Sequence, residues 1–228
     1  MENINKTACR TVEVFFQMAP TEKYYFIPIN SYHWNTFNGH LYCILIVDTM
    51  FFQQVICDES GKNLSSIPTD LLQNVTKLNL KNNKITLKHN DKDILIRLPN
   101  LTELYLNENM ITLLYNNSFC NLTKLVNLDI SNNCINTVHQ AAFAGLYQLL
   151  VLNLSYNRIT QLDSNVFSSL INLRVLNLQN NLLESFHIKP SFKLTTITLD
   201  GNPWNCSCSL LDLQIWLTAS NVTMGKFL

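Results

Sequence analysis

An asparagine returns along this chain at almost one interval: Asn83, Asn109, Asn133, Asn157, Asn181 and Asn202, at spacings of 26, 24, 24, 24 and 21 residues. Each closes the frame LxxLxLxxN. Val75, Leu78, Leu80 and Ile85 fill it in the first copy, and Leu101, Leu104, Leu106 and Ile111 in the second. Leu125, Leu128, Ile130 and Ile135 follow, then Leu149, Leu152, Leu154 and Ile159. The last two copies hold Leu173, Leu176, Leu178 and Leu183, then Leu194, Ile197, Leu199 and Trp204. Within LxL the side chains alternate, so both apolar residues face inward and the middle one faces out. The asparagine falls where the chain leaves the strand and turns. A turning backbone inside a core needs partners for its amides and carbonyls, and a carboxamide supplies both a donor and an acceptor.

This is the leucine-rich-repeat pattern, one short strand per coil. It predicts an α/β fold: a solenoid with a curved parallel sheet, loops or short helical turns on the convex side, and N- and C-terminal caps. A second apolar series, Phe119, Phe143 and Phe167 with Leu122, Leu146 and Leu170, is expected to fill the convex wall. The segments around it contain no long amphipathic pattern. The charged loop at 88–93 (KHNDKD) is longer than its counterparts. One coil cannot bury its own apolar face, so stability must come from neighbours and end caps.

At 228 residues the chain accommodates one solenoid with end pieces. The formal net charge is zero and no basic stripe appears, which argues against nucleic-acid binding. Seven cysteines leave at least one thiol unpaired within the chain. Nine N-x-S/T triplets begin at Asn5, Asn63, Asn74, Asn100, Asn116, Asn121, Asn153, Asn205 and Asn221. An Asn-, Ser- and Thr-rich repeat generates some by accident. Their density favours passage through the secretory pathway, with Asn74, Asn100, Asn116, Asn121, Asn205 and Asn221 the glycosylation candidates. Asn153 lies between Leu152 and Leu154, where a glycan would obstruct the concave surface.

Four segments follow from these patterns. Residues 1–56 carry no repeat and read as a poorly ordered N-terminal extension. Its apolar stretch 41–56 (LYCILIVDTMFFQQVI) is signal-like in length but interrupted by Asp48. Two readings of it stand level, a degraded or mis-started signal sequence and an unusual extension. Low order is expected over residues 1–40. Residues 57–74, beginning CDESGKNLSSIP, look like the N-terminal cap of an extracellular leucine-rich-repeat domain. Many such caps carry four cysteines; here Cys57 stands alone, with Cys43 a weakly supported partner. Residues 75–204 are the solenoid. Residues 205–228 resemble a truncated C-terminal cysteine flank: Trp204 can lid the core, and 209–217 (SLLDLQIWL) reads as a helix with Ser209 as its cap. Cys206 and Cys208 form a CxC whose two usual partner cysteines do not appear in the twenty residues that follow. A metal reading of that CxC has no second ligand pair nearby, and no metal or cofactor is expected. A flank lacking its disulfides should be less stable by about 2–5 kcal/mol and secrete poorly.

With repeats, cap and flank placed, the chain resembles the extracellular part of single-pass leucine-rich-repeat membrane receptors. The stretches that carry the likeness are LTELYLNENMITLLYNNSF (101–119), VLNLQNNLL (175–183), NPWNCSCSLLDLQIWL (202–217) and SNVT (220–223). The resemblance implies a signal peptide, a glycosylated ectodomain, one transmembrane helix and a cytoplasmic tail. It implies that the tail recruits TRAF-type adaptors and activates NF-κB in innate responses. Adaptor binding would then belong to a tail that these residues do not include. The resemblance places such a protein at the cell membrane, or outside the cell if the chain is complete as it stands.

Recognition is what the repeats themselves would carry. The outward strand positions offer Glu103, Tyr105, Glu108, Val126, Asp129, Val151, Tyr156 and Arg174 as the candidate ligand-binding set. Tyr105 combines apolar area with a hydroxyl, which suits a contact hot spot. Val126, Leu150, Val151 and Val175 read equally as an exposed apolar patch and as the rim of the core. Lys77 and Lys81 should bridge to Glu103 and Glu108 one coil away. The expected ligand is a protein or a microbial surface molecule. No HExxH, GxSxG or GxxxxGK[ST] is present and the five histidines are scattered, so an enzyme is not expected. A structural or adhesion protein and a secreted decoy are the competing readings.

Overall fold

The structure, a computed structural model, describes residues 42–47, 53–188, 192–205, 211–220 and 222–224. Strand β1 (Tyr42–Val47) pairs antiparallel with β2 (Gln53–Asp58). From β2 onward every neighbour in the large sheet is parallel: β3 (Lys77–Asn79), β4 (Glu103–Tyr105), β6 (Asn127–Asp129), β8 (Val151–Asn153), β9 (Val175–Asn177), β10 (Thr196–Thr198) and β11 (Thr223–Met224). The register advances by one whole coil at each step, so Leu78, Leu104, Leu128, Leu152, Leu176 and Ile197 lie in one row. These residues, and their partners two positions on, are buried. The residues between them are half-exposed, the alternation that a sheet with one packed face demands.

The asparagine series is inward-facing and bonded across coils. Asn133 Nδ2 donates to Leu106 O of the preceding coil at 2.9 Å and to Ile130 O of its own at 3.2 Å. Its Oδ1 accepts the Ile111 amide at 3.0 Å. Asn83, Asn109, Asn157, Asn181 and Asn202 repeat both links, down to Asn202 Nδ2 on Leu178 O and Oδ1 on the Leu183 amide. The first five of the six are buried and Asn202, at the C-terminal end, is half-buried.

On the far wall Phe119, Phe143 and Phe167 stack with centroids 6.2 and 6.0 Å apart. Phe186 and Phe192 continue the series edge-on to Phe167. A second sheet, absent from the sequence reading, joins β5 (Leu113–Leu114) to β7 (Thr137–Val138) in parallel. The charged loop at 88–93 winds into a 3-10 turn at His89–Asp91 and a one-turn helix α1 (Lys92–Leu95). Asp91 Oδ2 accepts the Lys88 amide at 2.8 Å, and Leu95 fills the core from this turn.

Both ends differ from the expectation. The apolar stretch 41–56 is not poorly ordered where it is described: it holds β1 and the first four residues of β2, which ends at Asp58, inside the expected cap. The physical reason is the open edge of β3, whose unpaired backbone groups β2 satisfies through the pairs Ile56–Lys77 and Asp58–Asn79. Val55 and Cys57 face the core. Cys57 is disulfide-bonded, and the register sets Cys43 directly opposite it. The cap thus carries a disulfide at Cys57, where the sequence alone offers only weak support for Cys43 as its partner. Residues 1–40 lie outside the described residues. At the other end helix α2 (Leu211–Ala219) takes in the described part of the expected helix, runs two residues past its expected end at 217, and buries Leu213 and Trp216. Its expected cap Ser209 lies outside the described residues, as do Cys206 and Cys208. After α2 the chain returns to the sheet as β11, pairing Thr223 with Thr196. Trp204 packs on the core and donates Nε1 to Leu199 O at 3.0 Å.

Candidate functional site

The outward face of the large sheet is built from three-residue strands, each giving two half-exposed side chains around one buried one. The candidate residues on it differ in how free they are. Glu103 and Tyr105 belong to one network. The Tyr105 hydroxyl donates to Glu103 Oε2 at 2.6 Å and accepts from Asn127 Nδ2 at 3.3 Å. Lys77 Nζ lies 2.9 Å from Glu103 Oε2 and 5.1 Å from the centre of the Tyr105 ring. Partial burial acts to raise the Glu103 carboxyl, but the Tyr105 hydroxyl and the Lys77 ammonium outweigh it and hold it below its ordinary value. Burial, with Glu103 beside it, raises the Tyr105 phenol. The hydrogen bond to Glu103 raises the Lys77 ammonium. Lys81 and Glu108 form the second bridge, at 3.1 Å. Both bridges are more than a third exposed, so each is worth only about 0–1 kcal/mol.

Asp129 is occupied on both oxygens: Oδ1 accepts the Ser131 amide at 2.9 Å and Oδ2 accepts Asn153 Nδ2 at 3.2 Å. It belongs to a second polar row that sequence reasoning missed. Asp58, Asn79, Asp129, Asn153 and Asn177 each accept, through Oδ1, the amide two residues on. These Asx turns bend the chain off each strand. An Asn or Asp two positions ahead of each turn was the signal. Asn153 is held at both ends, since Ser155 Oγ also donates to its Oδ1 at 2.8 Å. Arg174 folds onto its own turn, with Nη1 donating to Asn172 O at 3.1 Å and Leu173 O at 3.2 Å. Val126, Val151 and Val175 are half-buried and Leu150 is exposed; Val151 pairs in register with Val175. Tyr156 is exposed, at the turn rather than on the strand. The set is therefore not one cluster: Glu103, Tyr105 and Lys77 come together around Asn127, and Tyr156 and Arg174 stand apart.

Among the glycosylation candidates Asn74, Asn116, Asn121 and Asn205 are exposed and Asn100 is half-buried, while Asn221 lies outside the described residues. Asn116 Oδ1 accepts the Ala141 amide at 3.0 Å, and Asn100 Oδ1 accepts from Lys124 Nζ at 2.8 Å. No group of three His, Cys, Asp or Glu side chains that could hold a metal ion occurs among the described residues. No described helix is long and apolar enough to cross a membrane.

The leucine rich repeat family pattern matches residues 73–135, 123–183 and 151–203, together more than half of the chain. The chain belongs to the leucine-rich-repeat family. Within that family it is similar to leucine-rich repeat-containing protein 19 of Homo sapiens, 55% identical over 172 residues, covering 75% of this chain and 46% of the human protein. The Mus musculus protein of the same name is 50% identical over 171 residues, covering 75% of this chain and 47% of its own. The chain spans about half the length of these relatives. The repeats of the family are the coils described above, and the matched interval runs from the approach to β3 to the turn after β10.

Proposed function

We propose that this leucine-rich-repeat chain is the recognition part of a cell-surface receptor and binds a protein or microbial surface ligand on the outward face of its sheet. The observation that carries the reading is a long parallel sheet with its apolar side chains turned inward and an outward face that changes from coil to coil. Inward, the rows repeat leucine; outward, the central row runs Asn79, Tyr105, Asp129, Asn153, Asn177 and Thr198. Such a surface presents side chains held by a rigid scaffold, as recognition requires. Innate-immune output through NF-κB follows from the receptor resemblance and belongs to a membrane anchor and adaptor-binding tail, not to the coils. Glycosylation at the exposed N-x-S/T sites and a secretory route fit the same reading. No enzymatic activity and no nucleic-acid binding are proposed.

The test is capture by the full chain, secreted from mammalian cells, of arrayed cell-surface ectodomains and of purified bacterial envelope fractions. Glu103→Lys, Glu108→Lys and Tyr105→Ala should each weaken capture while the melting temperature stays within a few degrees of the parent. Unchanged capture in all three moves the site off this face.

A further inference from the structure

We infer that the turn edge around Tyr156 is a contact centre for a protein partner, and that the partner brings a carboxylate next to an apolar side chain. The inference rests on the recognition reading and names the chemistry of what is recognised.

The first observation is a conformation. Each coil enters its buried asparagine through a residue in the left-handed region: Asn82 (φ 56), Glu108 (φ 57), Asn132 (φ 53), Tyr156 (φ 54), Asn180 (φ 51) and Gly201 (φ 70). Asn and Gly accept that region at little cost, and four of the six positions use them. Glu108 is an exception with a structural return, its bridge to Lys81. Tyr156 has no such bond: the residue is 49% exposed, and among the described residues its hydroxyl makes no hydrogen bond and its ring no aromatic or cation pairing. A bulky residue kept where the backbone disfavours it, half open to solvent and with no hydrogen bond or ring pairing in the described fold to offset the cost, points to a contact made outside the fold.

The second observation is the row next to it. The residues that follow the buried asparagines are Met110, Cys134, Arg158 and Leu182 on four consecutive coils. Their amides bond to the preceding coil at Ile85 O, Ile111 O, Ile135 O and Ile159 O, between 2.8 and 3.0 Å, which keeps the row in register. At a strand spacing of about 4.8 Å the row runs roughly 14 Å from Met110 to Leu182. Met110 is 52% exposed and Leu182 48%. Arg158, between them, is exposed and has no ion-pair partner among the described residues. Tyr156 and Arg158 flank the same buried Asn157. An aromatic ring, a methionine and an unpaired guanidinium are residue types enriched at protein interfaces, and Leu182 adds apolar area beside them. The guanidinium selects a carboxylate, which it can hold through two parallel bonds. The apolar neighbours keep water from that pair and ask for an apolar side chain beside it. A single cation does not suit a polyanion, whose binding needs many. None of the eight positions on this edge in these four coils opens an N-x-S/T triplet, so no glycan is encoded there.

The experiment pans a random peptide library, displayed on phage, against the immobilised full chain. Enriched peptides should carry Asp or Glu close to an aromatic or aliphatic residue. They should bind Tyr156→Asn and Arg158→Gln at least about tenfold more weakly than the parent. Tyr156→Asn should also raise the melting temperature, because Asn relaxes in the left-handed region, so weaker binding with higher stability separates a contact role from a structural one. Peptides without an acidic residue, or peptides retained by both variants, overturn the inference, as does a lower melting temperature for Tyr156→Asn. Peptides lost to Tyr105→Ala and kept by the two edge variants overturn it and leave recognition by the sheet face standing. No enrichment at all counts against both.

Discussion

The side chain that does most for this molecule is a neutral amide. Asn133 holds two backbone groups of the preceding coil, Leu106 O and the Ile111 amide, while also bonding Ile130 O and Ser131 O of its own. It is 8% exposed, so water cannot replace it. Asn133→Ala should therefore leave several buried backbone groups unpaired and cost about 3 kcal/mol, at the upper end of the range for such losses. Asn202→Ala, half-buried at the end of the series, should cost less. Urea midpoints of the two variants measure both, and equal losses would refute the difference in burial as the cause. The charged residues of the outward face act on a smaller scale. The Glu103 carboxyl is held below its ordinary 4.5 in the fold, so its contribution is present above the unfolded value and lost as pH falls through the folded one. Lys77 and Tyr105 are raised, so theirs is present below their unfolded values and lost as pH rises through the folded ones. The melting-temperature gap between the parent and Glu103→Gln should accordingly close as pH is taken well below 4.5. A gap that persists there would show that the network contributes nothing through its charge.

Among elements, the stacked phenylalanines are the counterpart of the asparagine series on the opposite wall. Phe143 lies between Phe119 and Phe167, is fully buried, and contacts both rings. Removing it opens a cavity shared by three coils that the backbone cannot close, since the sheet fixes the coil spacing. Phe143→Ala should cost about 3–5 kcal/mol, and Phe192→Ala, partly buried at the end of the series, clearly less. Chemical unfolding of the pair measures the difference; a smaller loss for Phe143→Ala would mean that the convex wall collapses to fill the gap. The strands contribute in a different way. Three residues per strand is too short for a sheet that stands alone, and the strands persist because each is tied to the next by the same carbonyls that the asparagines complete. The pair β5–β7 shows this in miniature: His139 donates its amide to Leu114 O at 3.0 Å, extending the pairing of Leu114 with Val138 by one residue.

At the scale of the whole molecule, what could be read from the sequence is what repeats. Six asparagines, the LxL rows and the Phe119–Phe143–Phe167 series carry their own period, and the period alone places them inside. What does not repeat had no such signal. The β1–β2 hairpin lies in an apolar stretch whose strand character depends on the open edge of β3, far along the chain. The partnership of Tyr105 with Glu103 and Asn127 joins residues of two coils that no local pattern connects. The left-handed turn at Tyr156 falls between: four of the five other coils put Asn or Gly at the same place, and that alignment was the available clue. The same one-dimensional logic governs unfolding. A stack of coils gains its stability from neighbours, so the end coils depend on their caps and the middle ones do not. At the C-terminal end the cap is α2, whose Trp216 is 8% exposed and packs against the core. Trp216→Ala should remove about 3–5 kcal/mol of packing there. If the coils open from the end inward, amide exchange in β10 should quicken by a large factor while β6, four strands inward in the sheet order from β11, keeps its protection. Equal acceleration in both strands would mean that the solenoid opens as one unit, because local opening at the end is then less favourable than opening throughout.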